Sequence, residues 1–171
     1  MRVADRIAEW LGERGISHAF GIVGGGNVCL FDAIAKAKKT QIVCCHHEQA
    51  AAMASTYFNR TRGNLSSVVL VTTGAGSSNA LTGVLAAYMD RIPLLIISGN
   101  EASHSLNAKT RILGVQGYRS DIVASPMCVG TVQITKNNLL NELDSMYDLA
   151  LCQPCGPVWA DLAKDTANAM V

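Results

Sequence analysis

Thiols, imidazoles and a carboxylate follow one another in Cys44-Cys45-His46-His47-Glu48-Gln49, a density of reactive groups that raises the question of what they do together. The run before it, Gln41-Ile42-Val43, is β-branched and reads as a buried strand, and the small-residue run 50–57 reads as a tightly packed helix. Glu48 therefore falls where strand turns into helix, which in an open parallel sheet is the carboxyl edge where ligands bind. Next to two histidines and ahead of apolar residues, a carboxylate there is partly desolvated and placed to exchange a proton with a ligand near neutral pH. A first-turn glutamate also serves as a plain partner for the helix dipole, so position alone leaves both roles open. Zinc binding by residues 44–47 is disfavoured, because adjacent strand residues point to opposite faces and at most alternate ones share an ion. Cys152-Gln153-Pro154-Cys155 has redox spacing, but it lies near a helix end ahead of a strand, the reverse of the thioredoxin-type order.

Two glycine-rich turns belong to the same edge. Gly24-Gly25-Gly26-Asn27 breaks a strand over 17–22, after which Val28, Leu30, Phe31, Ile34 and Ala35 resume helical spacing up to Lys39. The unit fails as a dinucleotide fingerprint, because Cys29 stands where the third glycine of G-x-G-x-x-G belongs. What survives is a turn without side chains, which lets a ligand approach the backbone closely. The second turn, Thr72-Thr73-Gly74-Ala75-Gly76-Ser77-Ser78-Asn79, leads into another helix. Free N–H groups at its start would suit an anion or a polar ligand edge, and Ser77, Ser78 or Asn79 is expected to cap it.

The elements that must position these turns are legible from periodicity. Val3, Ile7, Trp10 and Leu11 mark an amphipathic helix that Gly15 stops. Apolar runs predict strands over 17–22, 41–43, 67–72, 94–98, 127–134 and 157–162, with Pro93 opening the fourth and Gly99 closing it. Between them lie a helix with Leu81, Val84, Leu85 and Tyr88 on one face and another built on Leu139, Leu140, Leu143, Met146, Leu149 and Ala150. The alternation predicts an α/β fold, a three-layer α/β/α sandwich with a parallel sheet of about six strands. Residues 100–119 carry little pattern, and a polar loop of that length suits a lid, a binding loop or an interface segment. Residues 1–165 are read as one domain and 166–171 as the start of a linker or tail.

Composition narrows the class. With 49% hydrophobic and 16% charged residues in 171, the chain is long enough for a core without staples. A net charge of +1 and the lack of a basic run argue against nucleic acid. Apolar runs are strand-length, too short for a membrane span, and the charged start Met1-Arg2-Val3-Ala4-Asp5-Arg6 is unlike a signal peptide, so a cytoplasmic location is expected. Six scattered cysteines in such a compartment read as buried free thiols.

Three stretches then match one pattern in order: Gly21-Ile22-Val23-Gly24-Gly25-Gly26; His47-Glu48-Gln49 with Ala50-Ala51-Ala52-Met53-Ala54; and Thr73-Gly74-Ala75-Gly76-Ser77-Ser78-Asn79 followed by Ala86-Ala87-Tyr88-Met89-Asp90-Arg91-Ile92-Pro93-Leu94-Leu95-Ile96-Ile97-Ser98-Gly99. Gly156-Pro157-Val158-Trp159-Ala160-Asp161-Leu162-Ala163-Lys164-Asp165 closes it. The chain resembles the amino-terminal pyrimidine-binding domain of thiamine diphosphate enzymes, closest to the acetolactate synthase group. That resemblance implies a thiamine diphosphate-dependent carboligase or decarboxylase acting on a 2-oxo acid such as pyruvate. It gives Glu48 the catalytic role of protonating a pyrimidine ring nitrogen and so activating the cofactor.

Other positions follow from the resemblance alone. Val23, Gly24, Thr73, Gly74 and Asn79 would line the cofactor with Glu48, Val23 standing where a proline is usual. Gly25 occupies the place of a catalytic aspartate in pyruvate decarboxylase-type members, which points to a carboligase. His47 and Gln116 match residues near the substrate, with Gly117 in place of the acidic residue that often follows the glutamine. The family holds the diphosphate through a divalent ion, Mg2+, on a separate domain with a Gly-Asp-Gly run; no such run occurs here, and no metal ligand is assigned to this chain. The chain is thus expected to hold half of a site, inactive alone, as part of a longer enzyme or as the small subunit of a split sulfopyruvate decarboxylase-like pair. FAD would belong to a central domain elsewhere. A homodimer or heteromer is expected, with self-association through the helix carrying Ala50, Ala51, Ala52 and Ala54. The competing reading is a non-catalytic nucleotide-binding or assembly domain.

Overall fold

In the computed structural model, which describes residues 1–106 and 113–171, the aliphatic runs become six parallel strands. In chain order the elements are α1 (Val3–Glu13), β1 (His18–Gly21), α2 (Val28–Ala37), β2 (Gln41–Cys44), α3 (Glu48–Arg62), β3 (Ser67–Val71), α4 (Ala75–Met89), β4 (Leu94–Asn100), α5 (Ser103–Leu106), α6 (Ser120–Ala124), β5 (Gly130–Gln133), α7 (Leu139–Leu151), β6 (Pro157–Ala163) and α8 (Lys164–Asn168). Short 3-10 turns lie at Gly114–Gln116 and Ser125–Met127. The sheet order is β2-β1-β3-β4-β6-β5, so the chain leaves β1 toward one edge and returns to β3 on its other side. That reversal opens a crevice at the carboxyl ends of β1 and β3.

The side-chain period of two builds the three layers. In register, Ala19, Val68, Leu95 and Val158 form a row that packs with α1, α2 and α7. The next row, Phe20, Val69, Ile96 and Trp159, faces the opposite way and packs with α3 and α4. β3, β4 and β6 are buried along their whole length, which is why their sequences lack polar alternation.

Several expectations change. β4 continues through Gly99 to Asn100, because pairing with β6 persists as Gly99↔Leu162 and Asn100↔Ala163. Met127 stands outside β5, in a 3-10 turn. On α4 the buried stripe is Gly76, Ser77, Ala80, Gly83, Val84 and Ala87, while Leu85 and Tyr88 are exposed. The small stripe wins because α3 and α4 approach closely: a Cβ on Gly83 would lie 2.6 Å from Ala52 Cβ. Of the alanines expected in a subunit contact, Ala51 and Ala52 are fully buried inside the chain, while Ala50 is exposed and Ala54 half-buried. Residues 166–171 pack on the domain rather than leaving it: Ala167 is buried, Val3 N donates to Ala169 O at 2.9 Å, and Arg2 bridges Met170. Residues 107–112 of the expected long loop lie outside the described residues.

The α3–α4 contact yields a direct test. Gly83→Ala gains helix propensity of about 1 kcal/mol but overpacks the contact, for a net loss of about 1–2 kcal/mol in urea unfolding. Pairing it with Ala52→Gly, which removes the atom it strikes, gives a loss smaller than the sum of the two single changes.

Candidate functional site

The first turn is stiffened from within. Asn27 Oδ1 accepts from Gly24 N at 2.7 Å and Asn27 Nδ2 donates to Ile22 O at 3.0 Å, a side-chain bridge that fixes residues 22–27. Thr72, at the end of β3, ties this turn to the second one: its Oγ1 accepts from Gly26 N at 3.1 Å. A Cβ on Gly24 would sit 2.5 Å from Thr72 Oγ1, and one on Gly76 would sit 2.8 Å from Thr72 Cγ2. The Thr72 side chain therefore stands between the two turns, with the bare backbone of Gly24 on one side and of Gly76 on the other. Val23 is 54% exposed and Gly25 has open space around it, so these two border the crevice without closing it.

The second turn is clamped from the other side by the loop that carries Gln116. Gly74 adopts φ +65°, a region that favours glycine. A Cβ there would meet Val115 O at 2.6 Å and Gln116 Cα at 2.9 Å. Thr73 Oγ1 donates to Gln116 Oε1 at 2.7 Å, and Tyr118 OH donates to Gly74 O at 3.1 Å. Behind this clamp, Asn100 Nδ2 reaches the Tyr118 carbonyl at 3.1 Å and the buried Asp161 carboxyl at 2.9 Å.

Glu48 is the first residue of α3 and is only 9% exposed. Its Oε2 accepts from Asn79 Nδ2 of α4 at 3.1 Å, and its Oε1 lies beside Gly76, where an added Cβ would come within 3.4 Å. The positive end of α3 favours the charge by about 0.5–1 kcal/mol. A carboxylate has acceptor capacity for several hydrogen bonds, and the amide of Asn79 uses one of them. His47 is the N-cap residue, its Nδ1 accepting from Gln49 N at 3.2 Å, which makes it the peg that starts the helix at Glu48. The expected capping by Ser77, Ser78 or Asn79 is absent: the N-cap of α4 is Gly74, Ser77 donates back to Thr72 O, and Asn79 serves Glu48.

The structure thus brings together Gly24, Thr73, Gly74, Asn79, Glu48 and Gln116 around one sheet edge, with Val23, Gly25 and His47 at its exposed border. Thr72, Asn27 and Tyr118 belong to the same assembly and were not singled out by pattern; only the adjacency of Thr72 to the glycine turn hinted at it. The cysteines take no part, and the expected burial does not hold: all six are free, but Cys44 and Cys152 are exposed and the other four half-buried. Burial pushes the Cys128 thiol up to about 12 and raises Cys45, so both stay protonated, and among the described residues no cluster of three His, Cys, Asp or Glu side chains could hold a metal.

The glycines separate cleanly by environment. Gly74→Ala costs about 2 kcal/mol or more in urea unfolding, from positive φ plus the collision with the 115–116 backbone, whereas Gly25→Ala stays within about 0.5 kcal/mol.

Comparison with known proteins agrees with this geometry. The family model for the thiamine pyrophosphate enzyme N-terminal TPP binding domain matches residues 1–125. The acetolactate synthase large subunit of Buchnera aphidicola subsp. Acyrthosiphon pisum is 40% identical over 166 residues, covering 95% of this chain and 28% of that protein. Acetolactate synthase isozyme 3 large subunit of Escherichia coli is 32% identical over 169 residues (96% and 28%), and the large subunit of Haemophilus influenzae 30% over 166 residues (96% and 28%). The chain spans little more than a quarter of the length of these relatives. It belongs to the thiamine pyrophosphate enzyme family, as an N-terminal TPP binding domain of the kind found in acetolactate synthase large subunits.

Proposed function

We propose that the crevice between the two glycine turns takes the aminopyrimidine ring of thiamine diphosphate, with Glu48 as the proton-exchanging group and Val23, Gly24, Thr73, Gly74 and Asn79 around the ring. The observation that carries this reading is the buried Glu48 carboxylate, anchored by Asn79 and aligned beside side-chain-free Gly76 at the carboxyl edge. The donor set suits the ligand: a flat heteroaromatic ring needs backbone walls and one group able to hold a proton at a ring nitrogen.

When bound, thiamine diphosphate supplies a thiazolium carbon nucleophile and an electron sink for loss of carbon dioxide from a 2-oxo acid. The protein's part is done by its own residues. Glu48 gives and takes the proton at the ring nitrogen, Asn79 fixes which carboxyl oxygen faces it, and burial keeps water from competing for it. Gly25, His47 and Gln116 border the space left for the 2-oxo acid, with pyruvate as the simplest candidate and carboligation as the expected outcome. Mg2+, the diphosphate and any FAD belong to domains outside this chain, so the working site needs a diphosphate-binding domain or subunit in a homodimer or heteromer. Six free cysteines accord with a reducing, cytoplasmic setting.

The test is Glu48→Gln in the enzyme assembled with its diphosphate-binding half. Circular dichroism and melting temperature stay within a few degrees of wild type, while exchange of the thiazolium C2 proton with deuterium slows by about 100-fold or more. Unchanged exchange overturns the assignment.

A further inference from the structure

Four buried contacts run in line from Asp161 to the second glycine turn. Ser120 Oγ lies 2.8 Å from Asp161 Oδ1 and 3.3 Å from Ser98 Oγ; Ser98 Oγ lies 2.8 Å from Ser77 Oγ, which lies 2.9 Å from the Thr72 carbonyl. All four side chains are 2% exposed or less. Each hydroxyl has one hydrogen to give. Three serines therefore supply three hydrogens for four contacts, and Trp159 Nε1, which donates to Ser120 Oγ at 3.2 Å, adds none between the serines. With Asp161 ionised, one contact is left as two buried oxygens facing each other. With a proton on Asp161 Oδ1 every contact is made: Asp161 donates to Ser120, Ser120 to Ser98, Ser98 to Ser77, and Ser77 to the Thr72 carbonyl. Oδ2 stays available to Asn100 Nδ2 at 2.9 Å.

The same carboxyl seats the loop in front of it. Asn100 Nδ2 is shared between Asp161 and the Tyr118 carbonyl, Tyr118 OH holds Gly74 O, and Thr73 holds Gln116. We propose that Asp161 is a positioning residue whose protonated form completes the Ser120–Ser98–Ser77 hydroxyl chain to the Thr72 carbonyl, and so firms the second glycine turn onto which Thr73 and Gly74 latch the Gln116 loop. Only the meaning of Gln116 for substrate rests on the proposed function; the proton and the latch do not.

The surroundings agree. Burial pushes the Asp161 carboxyl from 3.8 up to about 6, with Asn100, Ser120 and Arg119 pulling the other way and Asp121 adding to the rise. Arg119 is itself paired with Asp121, Nε to Oδ1 at 2.8 Å and Nη2 to Oδ2 at 2.6 Å, which blunts both charges. Lys136 and Asp165, one of each sign, line a cavity together with Asp161. Because the folded state binds this proton more tightly than the unfolded chain, its contribution to stability is complete below about 4 and is lost as pH rises through about 6.

The experiment is a pH titration of the intact chain carrying 13C at the aspartate carboxyls, with amide hydrogen exchange of residues 113–119 followed in parallel. Wild-type Asp161 titrates near 6, and exchange at 113–119, corrected for intrinsic rates, rises several-fold across the same midpoint. Ser98→Ala removes the hydroxyl that is short of a partner when Asp161 ionises, so the midpoint falls by half a unit or more and the loop transition moves with it. Asp161→Asn abolishes the transition. A wild-type midpoint near 4, an unmoved midpoint in Ser98→Ala, or loop exchange indifferent to the Asp161 charge each overturn the proposal. None of these readouts involves thiamine diphosphate, so failure here and failure of Glu48→Gln are distinguishable.

Discussion

The end of β4 and the first glycine turn approach so closely at the carboxyl edge that only hydrogen fits between them, threonine side chains join the second turn to that pair, and the site depends on this approach. A Cβ on Gly99 would collide with the Gly26 carbonyl and come within 2.7 Å of Asn27 N; one on Gly26 would lie 2.6 Å from Thr73 Cγ2. The end of β4, the first turn and the second turn are thereby locked into one wall. Thr72 lies between the Gly24 and Gly76 backbones and satisfies the Gly26 amide, so the donor is paired where the wall is bare of side chains. The sheet order makes this possible, because the reversal between β1 and β3 sends α2 and α3 to opposite faces and leaves the edge between them open.

Glu48 is tolerated at this edge by a near balance of effects. Taking a carboxylate from water costs several kcal/mol. The start of α3 returns about 0.5–1 kcal/mol and the Asn79 amide about 1.5–3 kcal/mol, which leaves the group held but still favoured by a further partner. A surplus acceptor at a fixed place is the feature on which the proposed proton exchange rests. His47 contributes indirectly, since its ring caps the helix whose first residue is Glu48. On the proposed function the chain supplies one half of such a site; it spans little more than a quarter of the length of these relatives.

Much of this was legible in the residues. Fully buried parallel strands have few ways to be written, and β3, β4 and β6 are written in the expected one. Glu48 was legible because a strand signal and a helix signal meet there. What escaped depends on contacts between distant loops. Thr72 and Thr73 are indistinguishable by local pattern, yet Thr72 joins the turns and Thr73 holds Gln116, 43 residues away. The buried face of α4 ran against hydropathy because close helix approach selects small residues over large ones. Asp161 sits in a run that reads as plain strand, and only the three serines from separate elements give it a role. The last residues read as a linker because six residues carry no strand or helix period, while their packing on α1 and α2 depends on where β6 delivers them.

The most direct measurement is the structure of this domain assembled with its diphosphate-binding half in the presence of thiamine diphosphate. The account predicts the aminopyrimidine lying in the crevice between the 24–26 and 73–76 turns, with a Glu48 carboxyl oxygen within about 2.6–3.2 Å of a ring nitrogen. A pyrimidine bound elsewhere, or one in the crevice with Glu48 turned away from it, would contradict the central claim.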